Sequence, residues 1–167
     1  MYHVAPRVPI IPDGWKLRVS GMVANPLTLS LDDLMKMPST EYRIEHHCVE
    51  GWSAIATWTG VRLSELAKRA GAKDTDYVEF RSFDVPKGWT RGYWSSWDRE
   101  SAMHPQTLIA WAMNGRPLSP EYGAPVKVYG AVKLGYKNVK YLTEINFLDQ
   151  ETGGYWENSG YEWFGGV

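Results

Sequence analysis

One cysteine, Cys48, stands alone in a chain of 167 residues. No disulfide can form within the chain, and no cysteine-rich zinc site can be assembled, so burial and hydrogen bonding must hold the fold unaided. The length allows this, because a chain of this size buries roughly 70% of the surface its unfolded form exposes. It suits one domain, spanning residues 1–167. Hydrophobic residues make up 44% and charged residues 22%, which excludes a disordered or collagen-like chain. No run approaches the ~18 apolar residues of a transmembrane helix. A net charge of -1 gives no basic footprint, so no nucleic-acid partner is expected. The opening residues Met1 to Pro6 carry neither the basic nor the apolar region of a secretory signal, so none is expected here.

Aromatic residues are abundant: 9 Trp, 10 Tyr and 4 Phe. Bulky rings can build a core or line a deep pocket, and composition alone favours the core.

The pattern along the chain predicts short elements. Lys16–Ser20, Leu27–Leu29, Glu41–Cys48, Tyr77–Phe83, Val126–Tyr129 and Tyr141–Leu148 read as strands. Leu108–Met113 is a strand ending in a tight turn at Asn114-Gly115. Ser30 caps a helix from Leu31 to Met37. A second helix runs from about Val61 to Ala70, closed by Gly71. Pro86 to Trp97 reads as a loop, and the tail from Gly153 has no periodicity. Together these predict an α+β fold of mixed sheets with a few short helices.

The dinucleotide, Walker A, zinc-protease, nucleophile-elbow and C-x-x-C motifs are all absent from the sequence. Two segments carry chemistry instead. His46-His47-Cys48-Val49-Glu50 gathers a thiol, two imidazoles and a carboxylate. A soft thiolate suits a metal, a thiol beside a histidine suits nucleophilic catalysis, and a buried inert cysteine is the bland alternative. The histidines alternate along a strand, so they do not share a face, which weakens a His-His-Cys cage. The stretch from Lys127 to Lys140 holds Lys127, Lys133, Lys137 and Lys140 around two glycines. It reads either as a phosphate cradle or as an ordinary solvated loop.

Read together, six segments in order resemble the molybdopterin-binding domain of the sulfite oxidase family. They are Cys48-Val49-Glu50-Gly51-Trp52-Ser53, Trp58-Thr59-Gly60-Val61-Arg62-Leu63 with Ala70-Gly71, Ala102-Met103-His104-Pro105, Met113 to Leu118, Tyr122 to Val126, and Lys133 to Leu142. The Val49-Glu50-Gly51-Trp52 run after the cysteine is similar to the periplasmic methionine sulfoxide reductase branch. Sulfite-oxidising members carry an arginine-bearing sequence there. A carboxylate at that place repels sulfite by ~1–4 kcal/mol at contact.

The resemblance implies a mononuclear molybdenum oxidoreductase. Its cofactor is molybdenum with molybdopterin, a pyranopterin dithiolene in the mononucleotide-free form. It implies two-electron oxygen-atom transfer on an S- or N-oxide, with sulfite dehydrogenation or a non-catalytic pterin-binding module as alternatives. Cys48 matches the metal's thiolate ligand. Tyr93, Glu50 and His47 (or His46) match catalytic or proton-transfer positions. Ser82, Tyr122, Lys127, Lys133, Lys137, Asn138, Val139 and Lys140 match cofactor-binding positions, and His3, with Tyr2 and Arg7, stands in for an N-terminal contact. The implied partners are a small oxide or sulfur substrate and an external electron carrier, such as a c-type cytochrome or a membrane haem protein. The implied compartment is the periplasm, with the cytoplasm as the alternative. The matched region includes no immunoglobulin-like dimerisation domain and no haem domain.

Overall fold

A computed structural model describes residues 3–47, 51 and 53–167. Strands β1 (Leu17–Gly21) and β2 (Leu27–Leu29) precede helix α1 (Leu31–Met35). Strands β3 (Thr40–His47) and β4 (Ser53–Arg62) lead to α2 (Leu63–Ala70). Strands β5 (Tyr77–Ser82) and β6 (Trp94–Asp98) are followed by α3 (Arg99–Ala102). Strands β7 (Leu108–Met113), β8 (Arg116–Pro117), β9 (Lys127–Tyr129) and β10 (Leu142–Leu148) complete the set. One sheet has the order β2-β1-β10-β5-β6. The other runs β3-β4-β7-β8, with β9 also paired to β7. Only β1 and β10 among the named pairs run parallel. The α+β architecture is therefore the one expected.

Period-two alternation explains how the sheets pack. On β7, Ile109 and Trp111 join the main core with Val128 of β9, Phe80, Trp97, Phe147 and the buried face of α2. Leu108 and Ala110 face the other way, joining Tyr129 and Trp58 in a second cluster. This central strand is buried on both faces, which is why it reads as an unbroken apolar run. Helix α1 starts on a capping box between Ser30 and Asp33, and α2 ends at Gly71 with φ 60°.

Helix α1 ends at Met35 instead of Met37, several strand ends move by a residue, and two differences go further. Val61 and Arg62 are the last residues of β4, in register with Ile109 and Leu108, so α2 begins only at Leu63. Sheet pairing overrides the helical period there. The expected Pro86–Trp97 loop is shorter, because Trp94 to Asp98 pairs with β5 as β6. β4 carries no clear strand signal in the sequence, since Gly60 interrupts it. A Cβ at Gly60 would lie 2.2 Å from the Ile109 carbonyl oxygen, so glycine is what lets β4 approach β7.

Candidate functional site

β9 turns Lys127 and Tyr129 to one face. The Lys127 ammonium lies 4.8 Å from the Trp58 ring centroid and 5.8 Å from that of Tyr129. These two rings stack at 4.4 Å and 19°. Lys127 is 7% exposed, and among the described residues no hydrogen bond or ion pair reaches its Nζ. Burial, and then the neighbouring charge of Lys140, push its pKa down to about 7. Burial also lowers Lys140, to about 8, against the pull of Asp84 and Glu121. Lys140 Nζ donates to the Glu121 carbonyl at 3.0 Å and sits 5.0 Å from the Tyr141 ring centroid. Two desolvated ammonium groups that repel each other form a cationic site, which an anion would stabilise.

Backbone contacts bring three strand ends to this point. Leu142 N–H donates to Val126 O at 3.0 Å, and Phe83 N–H donates to Tyr141 O at 3.0 Å. Leu142 of β10 also pairs with Ser82 of β5. Gly123 has φ 105°, and a Cβ there would lie 2.7 Å from the Lys140 Cβ, so glycine permits the turn after Tyr122 to close on Lys140. Tyr141 has φ 56°. Its buried hydroxyl has no hydrogen-bond partner among the described residues, and burial pushes it up to about 12.

An apolar wall extends from this point along the β3–β4 hairpin. Tyr42, Ile44 and Ala56 are half-buried against the Trp58–Tyr129 cluster, with Tyr122 beside them. Tyr42 pairs with Trp58, Ile44 with Ala56, His46 with Ala54 and His47 with Ser53. β3 ends at His47 and β4 resumes at Ser53. Cys48 and Glu50 lie outside the described residues, as do the side chains of His46 and His47.

The remaining expected positions divide into two groups. The Ser82 hydroxyl accepts the Asp84 N–H at 2.8 Å. The Asp84 carboxylate, 4% exposed, accepts Val4 N–H at 2.8 Å and Ala5 N–H at 2.7 Å. This brings the segment carrying His3 to the Lys140 side of the fold; the His3 ring nitrogen contacts Ala5 O at 2.9 Å. Sequence reasoning missed Asp84. It joins residues 79 and 80 positions apart, so no local pattern announces it.

Lys133 and Lys137 depart from the expected cradle. Lys133 Nζ donates to Asp98 at 2.8 Å and to the Phe164 carbonyl. Lys137 Nζ donates to Ser96 O at 2.8 Å, Glu157 at 2.6 Å and Trp163 O at 2.6 Å. Their charges are committed inside the protein, so of the four lysines only Lys127 and Lys140 form the charge pair. Asn138 braces the loop: its side-chain oxygen accepts Gly130 N–H at 2.7 Å, and its amide donates to Lys133 O and Leu134 O. Val139 is fully buried, and its carbonyl accepts Val128 N–H at 3.0 Å. Tyr93 is 8% exposed, and its hydroxyl donates to the Tyr136 carbonyl. Among the described residues, no group of three or more His, Cys, Asp or Glu could hold a metal ion.

Comparison with known proteins defines the class. Residues 3–156 match the oxidoreductase molybdopterin binding domain, and the chain belongs to that family. It is 40% identical over 153 residues to a putative protein-methionine-sulfoxide reductase subunit, YedZ1, of Azospira oryzae, covering 91% of this chain and 56% of that protein. It is 38% identical over 148 residues to the protein-methionine-sulfoxide reductase catalytic subunit MsrP of Xanthomonas campestris, covering 81% and 45%. It is 34% identical over 149 residues to the uncharacterized oxidoreductase YuiH of Bacillus subtilis, covering 88% and 72%. The chain thus spans about half the length of the first two relatives. The fold is that of the sulfane dehydrogenase SoxCD from Paracoccus pantotrophus, with TM-score 0.73 and 22% identity over 83% of this chain and 39% of that one.

The residues present fit molybdopterin. A flat heterocycle ending in a phosphate needs a partly open apolar wall and a buried positive end, and the hairpin face and the Lys127–Lys140 pair offer these.

Proposed function

We propose that residues 1–167 act as one molybdopterin-dependent oxidoreductase domain that takes an oxygen atom from an S- or N-oxide while delivering two electrons to it. The observation that carries this reading is the pair of desolvated lysines, Lys127 buried and Lys140 half-buried, beside the Trp58–Tyr129 stack on the hairpin that leads to Cys48. Lys127 and Lys140 hold the phosphate, and their two charges match one phosphate monoester dianion, which supports the mononucleotide-free form. Tyr42, Ile44, Ala56 and Tyr122 shield the ring system from water, and the Tyr141 hydroxyl offers it a polar contact. The Cys48 thiolate is the protein's ligand to molybdenum. Bound in this way, the cofactor supplies a centre that exchanges two electrons and one oxygen atom.

Reducing a sulfoxide consumes two electrons and two protons and yields a sulfide and water. Tyr93, Glu50 and His47 are the proposed proton-handling groups, the histidine because its ordinary pKa lies near neutrality. Ser82, Asn138, Val139, Lys133 and Lys137 shape the surrounding loops, and the His3 segment closes the N-terminal side. The electrons come from an external carrier, such as a c-type cytochrome or a membrane haem protein, and the compartment is the periplasm. The relatives named as methionine-sulfoxide reductase proteins support a sulfoxide substrate. Among the described residues no helix is long and apolar enough to cross a membrane.

Anaerobic turnover of metallated protein with reduced viologen tests the activity. Oxidation of viologen on adding methionine sulfoxide or an N-oxide is expected. Oxidation of sulfite without reduction of either oxide contradicts the reading.

A further inference from the structure

We propose that the cleft between the outer ends of β5 and β6 and the loop joining them is a second binding site, which takes a small aromatic carboxylate. This inference goes beyond the proposed oxygen-atom transfer and does not depend on it.

The cleft encloses about 410 Å³ and is lined by Arg81, Trp89, Arg91, Trp94 and Thr152, among others. That size falls within the range of small-molecule sites. Its walls are fixed. Arg81 and Trp94 are register partners across β5 and β6. The loop is fastened at its base by Ser82 N–H to Tyr93 O at 2.9 Å and Tyr93 N–H to Asp84 O at 2.8 Å. At Gly92 a Cβ would lie 1.9 Å from Ser82 O, so the returning chain lies directly on the strand end.

The chemistry of the walls selects the ligand. Trp89 is 49% exposed, yet rings back it on two sides: Trp94 at 6.2 Å and Tyr155 at 5.4 Å between centroids. A supported indole with an open face suits a planar ring. Arg81 donates through Nε and one Nη to the buried Glu79 carboxylate at 2.7 and 3.0 Å, which fixes its guanidinium plane 5.9 Å from the Trp94 ring. Burial alone would raise the Glu79 pKa, but hydrogen bonds from Arg81 and Asn146 hold it below the usual carboxylate range. That pair is therefore neutral overall. Arg91 is exposed, and among the described residues no ion pair or hydrogen bond engages it. No Asp or Glu lines the cleft. A free guanidinium beside an open indole complements a flat ring bearing a carboxylate, because the guanidinium fork matches carboxylate geometry. A cationic ligand is repelled, and a neutral one leaves Arg91 without its counterion.

Binding of 4-fluorobenzoate to the full chain, followed by fluorine NMR and calorimetry, tests the proposal. Saturable binding at about 1 mM or tighter is expected. Arg91→Gln, Trp89→Ala, and replacement of the ligand by 4-fluorobenzyl alcohol or by acetate should each weaken it at least ~10-fold, about 1.4 kcal/mol. Both substitutions fall on exposed loop residues, and an unchanged far-UV spectrum confirms that each variant is folded. Absence of saturable binding overturns the proposal. So does equal binding of the alcohol, which reports only an apolar patch, or of acetate, which reports only a cationic one. Because the readout needs no molybdenum, its failure and the failure of the oxidoreductase reading are separate results.

Discussion

Lys127 is a destabilising residue in the protein without ligand. An unfolded lysine keeps its proton up to about 10.5, whereas folded Lys127 releases it near 7. Between those values the unfolded chain binds the extra proton, so stability rises with pH from about 7 to about 10.5. Lys140, lowered to about 8, adds to the same slope. Denaturant titrations across this range should show the rise, and saturating phosphate should flatten it. A slope of the opposite sign contradicts the burial argument. Lys127→Met replaces an unpaired buried charge with an apolar chain of similar volume. It should stabilise the ligand-free protein by roughly 1–4 kcal/mol while weakening cofactor retention at least ~10-fold. Loss of stability together with unchanged cofactor content would remove Lys127 from the site. The sequence presents four similar lysines in a row. What separates them is the company they keep: Asp98 for Lys133 and Glu157 for Lys137, both distant in sequence and so invisible to spacing. The abundance of rings resolves in part into core, as with Phe80, Trp97 and Tyr129, while Trp89 remains open.

Tertiary ties close both ends of the described chain onto the element scaffold. At the N-terminal side, Asp84→Ala removes the acceptor of two main-chain N–H groups. Hydrogen exchange at Val4 and Ala5 should accelerate, with about 1–3 kcal/mol lost locally, and unchanged protection there would contradict the clamp. At the other end, Glu157→Ala leaves the fully buried Lys137 without its carboxylate. Breaking a buried pair on one side costs about 3–5 kcal/mol, readable as a shift in the urea midpoint; a shift equivalent to under ~1 kcal/mol would show that the tie is dispensable. Neither tie has a local signature. Elements with strong local signals, such as β1, α2 and β7, were legible because alternation, capping and an apolar run each act within a few residues. β4 and β6 were not, because Gly60 and the Trp94-Ser95-Ser96-Trp97 run pair through contacts that only the sheet supplies.

At the scale of the whole molecule, the two sheets meet so that the end of β5 and the starts of β9 and β10 converge on one positive site, with the β3–β4 hairpin as its wall. The family was legible because six ordered segments carry it, and the α+β class because alternation and capping mark most of the short elements. The positive site was only half legible: Lys127 and Lys140 could be named, but the burial of Lys127 and the closeness of the two charges are properties of the assembled fold. The central claim is that this chain holds molybdopterin and ligates its metal through Cys48. Molybdenum and pterin per chain, measured for wild type beside Cys48→Ser in a host competent for cofactor synthesis, test it directly. The account predicts near-stoichiometric molybdenum and pterin in the wild type, and loss of the thiolate-to-metal absorption in the variant. Zinc, copper or no metal in the wild type, or an unchanged absorption in Cys48→Ser, would contradict it.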